Sequence, residues 1–154
     1  MHRLLFTACL TVGVAHADIS DVAPAQACNF LMGNGLPTTT YMRQADGSYR
    51  CASPHVNIGP VNNIAFHVAG TATRADAIGL TIVVDVPADA AAVQRRLKDL
   101  ATALARKLGC TLPDDIAQAI TAGQVAQPAM ADRRQVAMKR TAAGNGYTLD
   151  VVFK

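Results

Sequence analysis

The residues best suited to chemistry in this chain are His67 and Asp85, an imidazole and a carboxylate on consecutive strand-like segments. Placed side by side they form the base and orienting acid of a general-base arrangement, and a nearby Ser or Thr hydroxyl would complete a hydrolase-like site. The other histidine downstream of the signal described below, His55, stands with Asn57 and Asn62 in the broken stretch Pro54 to Asn62, where loop side chains concentrate recognition. The rest of the inventory is thin. The chain contains no Glu, and no His-Glu-x-x-His, Cys-x-x-Cys, Gly-x-Ser-x-Gly, phosphate-binding or calcium-loop pattern. Asn57-Ile58-Gly59-Pro60 lacks the strand, glycine, helix context of a nucleotide fingerprint. We therefore read His67 with Asp85 as surface hydrogen-bonding groups and expect no catalysis, no cofactor and no metal.

Residues Met1 to Ala17 read as an export signal: a basic start (His2, Arg3), an apolar run from Leu4 to Val14, and Ala15-His16-Ala17 as a small-x-small cleavage site. Cys9 lies inside that run and not after it, so it does not read as a lipidation site. No later stretch is apolar enough to stay in a bilayer, so no stable membrane insertion is expected. Abundant Ala, Arg in preference to Lys, and the missing Glu resemble GC-rich bacterial composition, which points to the periplasm, or to secretion.

Export sets the redox chemistry. Cys28, Cys51 and Cys110 remain after cleavage, an odd number in an oxidising compartment, so one disulfide and one spare thiol are expected. Cys28 falls on a first helix and Cys51 on a nearby strand, which favours that pair. Cys110, at a helix end with no local base, reads as a buried spare, although it could replace either partner, since sequence alone does not fix the connectivity.

The elements that hold these groups follow from periodicity. Pro24 suits the first turn of a helix capped by Ser20 or Asp21 and stopped by Gly33 and Gly35. Thr38 to Ser53 reads as a hairpin around Asp46-Gly47. From Asn63 the chain alternates, with Ile64, Phe66 and Val68 on one face; Leu80, Ile82, Val84 and Val86 form the partner row. Both rows face the same side only if paired positions sum to an even number, which requires a three- or five-residue connection or a bulge near Gly70 or Gly79. Val93, Leu97, Leu100, Leu104 and Leu108 then mark a long helix capped by Asp89, and Ile116 and Ile120 a second one beginning at Thr111. Gly123 to Asp132 reads as a connector. A closing hairpin flanks Gly144-Asn145-Gly146 and contributes Leu149, Val151 and Phe153 to the inner row.

The expected fold of residues 18–154 is one α+β domain in the order α-β-β-β-β-α-α-β-β, an antiparallel sheet of about six strands with helices on one face. The other face would carry His67, Thr81, Asp85, Thr148 and Asp150. Removal of Arg3 leaves 13 Lys and Arg against 11 Asp, a net charge of +2, and aromatic residues are 5% of the chain. Both are too few for nucleic-acid binding. Arg133-Arg134 and Lys139-Arg140 read as solvated charges. The function expected is therefore a non-catalytic, inhibitor-like or immunity-like binding module whose partner is another protein, with His55, Asn57, Asn62, His67 and Asp85 as candidate binding residues. The alternatives are a small envelope hydrolase built on His67 and Asp85, and an accessory envelope protein that self-associates. N-terminal sequencing of the exported protein is expected to read Asp-Ile-Ser from Asp18; a retained or lipid-modified N-terminus would overturn the export assignment.

Overall fold

A computed structural model describes residues 18–154, so the export segment and Cys9 lie outside the described residues. The chain is an α+β fold around an antiparallel sheet of eight strands. In order, the elements are α1 (Pro24–Ala27), β1 (Met42–Arg43), β2 (Tyr49–Ala52), β3 (Val56–Asn57), β4 (Asn63–Gly70), β5 (Ala75–Val84), α2 (Ala90–Lys107), α3 (Asp114–Ala122), β6 (Ala129–Ala131), β7 (Arg134–Ala143) and β8 (Gly146–Phe153). The strands lie in the order β1-β2-β4-β5-β8-β7-β6, with β3 also paired to β4 beside β2. Two strands exceed the six expected. They are β3 and β6, of two and three residues, too short to show an alternating pattern.

The even-sum register holds. Asn63 pairs with Val83, and the ladder continues to Ala69 opposite Ala77. It then slips by one residue at Gly70, which pairs with Ala75. A Cβ on Gly70 would lie 2.1 Å from the Arg74 carbonyl oxygen, so only glycine fits this bulge. Beyond it, β8 continues the same inner rows, placing Phe153 beside Ile78, Val151 beside Leu80 and Leu149 beside Ile82. All six side chains are fully buried. Above them lie Val93, Leu97, Leu100 and Leu104 of α2 and Ile116 and Ile120 of α3, also fully buried. Burial of each such side chain is worth about 1.5–3 kcal/mol, which makes this layer the main source of stability.

The first helix is a single turn, shorter than its pattern suggests, and no side chain caps it. The expected caps are engaged elsewhere. Asp18 accepts the Ser20 N–H at 2.7 Å, and the Asp21 carboxylate meets the Arg134 guanidinium at 2.7 Å. Arg134 is not a solvated charge: it is 7% exposed. It also donates to the carbonyl oxygens of Asp18 and of Leu108, joining the N-terminal segment, the end of α2 and β7. A buried guanidinium needs this full set of acceptors, because desolvation without them is expensive. The same contact holds the Asp21 carboxyl below its ordinary pKa.

Cys28 is bonded to Cys51, tying the segment after α1 to β2 across the buried side of the sheet. Cys110 is free and buried, and burial pushes its thiol pKa up, so it stays protonated. The double variant Cys28→Ser/Cys51→Ser is expected to lose about 3 kcal/mol in chemical denaturation, the loop-closure estimate for a bridge spanning 23 residues. Cys110→Ser in the bridged protein should leave the thiol titre at zero; a remaining thiol would disprove the pairing.

Candidate functional site

Helices α1 and α2 pack on β4 and β5 from one side. Among the described residues no helix covers the opposite face, which can be read row by row from the register. Its central row runs Ala65, Thr81, Asp150, Lys139 across β4, β5, β8 and β7. The next row runs Ala52, His67, Gly79, Val152, Ala137. The remaining outer positions are mostly small or short polar groups, including Asn63, Ala69, Ala77, Val83 and Thr148. The result is a shallow, open surface with a few polar groups near its middle.

Thr81 and Asp150 are direct cross-strand neighbours, and the Thr81 hydroxyl donates to the carboxylate at 2.5 Å. His67 lies opposite Gly79, where its ring occupies the space a side chain would take: a Cβ there would be 2.8 Å from both Cε1 and Nε2. Burial of the ring lowers the His67 pKa, with the Asp150 carboxylate pulling weakly the other way. Asp150, in the neighbouring row on β8, is the carboxylate whose charge reaches the ring. Asp85 is not, because it lies six residues beyond Gly79, roughly 20 Å along the strand. The two residues singled out in the sequence are kept apart by the register. The hydroxyl on this face bonds the carboxylate directly, whereas a relay would put the imidazole between hydroxyl and acid.

The loop candidates divide into two kinds. His55 Nδ1 lies 2.6 Å from Asn63 Oδ1, so the exposed imidazole is tied to the start of β4. Asn57 is exposed on β3 and pairs with Asn63. Asn62, by contrast, is 1% exposed. Its Oδ1 accepts the N–H groups of Asp85 and Val86 at 3.0 and 3.1 Å, and its Nδ2 donates to the Val86 carbonyl. The amide is thus engaged in holding the end of β5, and its burial keeps it from a partner. Asp85 is positioned by that same contact. The Pro54–Asn62 stretch read as pure loop contains β3, and its entrance is fixed by buried Ser53, whose hydroxyl accepts the Phe66 N–H at 2.9 Å and donates to the Pro54 carbonyl.

Periodicity alone missed the juxtaposition of Thr81 with Asp150. The signal was present in the apolar rows, since seating Ile82 beside Leu149 obliges Thr81 to meet Asp150. Among the described residues no group of three His, Cys or Asp side chains is arranged to hold a metal ion. No protein-family model, curated protein or solved structure matches this chain.

The depressed pKa of His67 has a definite linkage sign. The unfolded chain takes up a proton near the ordinary histidine value while the folded chain resists it, so His67 contributes stability above that pH and loses it as pH falls. Melting curves between pH 7 and pH 5 should show a shallower acid decline for His67→Gln than for the parent protein. An identical decline would mean that His67 is freely solvated.

Proposed function

We propose that the protein is an exported, non-catalytic binding module that engages another protein, in the manner of an inhibitor or immunity protein. The observation carrying this reading is the one-sided sheet. The helices load one face, and the other presents half-buried His67, Thr81 and Asp150 among small side chains, a shape suited to a broad partner surface. His55 and Asn57 border that face at one end and are tied into β3 and β4, so they lose little freedom on binding. Asp85 sits at the same end, and Asn62 serves as the strut beneath it. Periplasmic or secretory location is supported by the Cys28–Cys51 bridge and by the lack, among the described residues, of any helix long and apolar enough to cross a membrane. The thin catalytic inventory supports binding over hydrolysis.

The test compares complexes formed with the stoichiometric partner recovered from periplasmic extract, measured by light scattering after size exclusion. Val83→Arg on the open face and His55→Asp at its rim should each weaken the complex at least tenfold, about 1.4 kcal/mol, with melting temperatures close to the parent's. His67→Ala should remain folded and competent. Loss of an ester-hydrolysing activity in His67→Ala, at unchanged melting temperature, would replace the binding reading with the hydrolase one.

A further inference from the structure

One edge of the sheet is finished and the other is not. β6 pairs with β7 only from Arg134 to Val136. Pro128 stands immediately before β6, at the position that would next face Ala137, and a proline cannot donate to a ladder. From Ala137 to Ala143 the outer side of β7 therefore has no strand beside it among the described residues. Lys139 to Ala143 are all exposed.

The register identifies the free groups. Gln135 exchanges both backbone hydrogen bonds with Lys154, at 2.9 Å each, so odd-numbered residues of β7 bond toward β8. Even-numbered residues point outward. Arg134 and Val136 meet β6, which leaves Met138, Arg140 and Ala142 with three N–H and three C=O groups facing away from the sheet. This edge does not sway on a loose hairpin: β8 pairs with β5 along its length, from Tyr147 opposite Val84 to Phe153 opposite Ile78. It is a rigid half-ladder.

Charge chooses its occupant. The ten residues of β7 contain Arg134, Lys139 and Arg140 and no acid. Arg134 is buried and paired with Asp21, so the field along the free part comes from Lys139 on the open face and Arg140 on the other. Asp150, across β8 from Lys139, is the nearest carboxylate on the sheet and already accepts from Thr81. A second copy is a poor occupant: the two-fold antiparallel register that uses all three outward residues places Arg140 opposite Arg140 of its copy, and like charges directly opposed destabilise a pair. Arg140, which opposes self-pairing, and its neighbour Lys139 both favour an acidic strand.

We propose that the edge of β7 from Ala137 to Ala143 is a strand-addition site for an extended acidic segment of another protein. Backbone pairing at Met138, Arg140 and Ala142 supplies adhesion, and Lys139 and Arg140, on opposite faces, select carboxylates at consecutive positions of the added strand. The site is defined by the β7 backbone and shares only Lys139 with the open face, so loss of backbone pairing and loss of face binding are read separately.

The probe is a capped heptapeptide with two adjacent Asp residues at its centre and Val elsewhere, compared with its Lys/Val counterpart and with an Asp/Val version N-methylated at the residues that would donate to β7. Anisotropy should show binding of the acidic peptide only, with at least tenfold loss on N-methylation, and amide exchange should slow at Met138, Arg140 and Ala142. Lys139→Glu/Arg140→Glu should reverse the preference to the Lys/Val peptide. Because Arg140 also lies 4.1 Å over the Tyr147 ring, Lys139→Glu alone serves as the milder variant and should weaken acidic binding with the fold intact. Equal binding of the N-methylated peptide, absence of exchange protection at those three amides, or no binding of the acidic peptide overturns the proposal.

Discussion

Everything in this fold depends on one alignment: three apolar rows, from β4, β5 and β8, seated on the same side of a sheet with no residue out of step. Because side chains alternate strictly, a slip of one position between β4 and β5 would turn Ile64, Phe66 and Val68 to solvent and expose several kcal/mol of apolar surface. The chain meets this constraint by concentrating the irregularity at Gly70, where the absence of Cβ lets the Arg74 carbonyl approach. The outer face is a by-product of the same alignment. Once Leu80 and Val151 point inward together, Thr81 and Asp150 have no choice but to meet outward.

The hydrophobic layer fixes faces, and buried polar groups fix ends. Asn62 clasps the end of β5, Ser53 replaces a backbone partner where Pro54 interrupts the strand pair, and Arg134 gathers three separate segments. Each is worth more as a satisfied group than as a single bond, since the cost of leaving its partners unpaired exceeds the net worth of the bond itself. No buried side-chain polar atom among the described residues lacks a partner. The three clasps also explain how a chain with only one turn in its first helix holds that segment in place, with the Cys28–Cys51 bridge adding a covalent tie.

Much of the architecture was legible because strong periodicity reports burial. The Leu stripe of α2, the paired Ile residues of α3 and the turn glycines follow from local pattern, which narrows the bulge to Gly70 among a few alternatives and favours Cys28 with Cys51 without excluding Cys110. Illegible features were those that depend on distant partners. The strands β3 and β6 are too short to carry a period, and Arg134 looks like any surface cation until Asp21 arrives from over a hundred residues away. Asp85 was paired with His67 because both point outward on neighbouring strands. Facing the same way does not imply proximity; the long ladder places Gly79 opposite His67 and carries Asp85 to the sheet's end. Asn62 was read as a loop contact because nothing local distinguishes an amide turned inward from one turned outward.

The open face and the free edge meet on β7, and this has a mechanical consequence. Lys139 belongs to both surfaces, as the last member of the row Ala65, Thr81, Asp150, Lys139 and as a flank of the bare backbone at Met138 and Arg140. A strand laid along that edge would widen the open face by one strand, and its outward side chains would continue the rows that now end at Ala137, Lys139 and Thr141. Its carboxylates would approach Lys139 from the side away from Asp150, whose own bonded partner is the Thr81 hydroxyl. An acidic strand at the proposed edge site would therefore change the charge beside the face without moving the backbone. If both proposed surfaces bind as argued, a free-energy coupling between them would need no conformational switch, because Lys139 is common to both and each ligand would alter what that lysine offers the other.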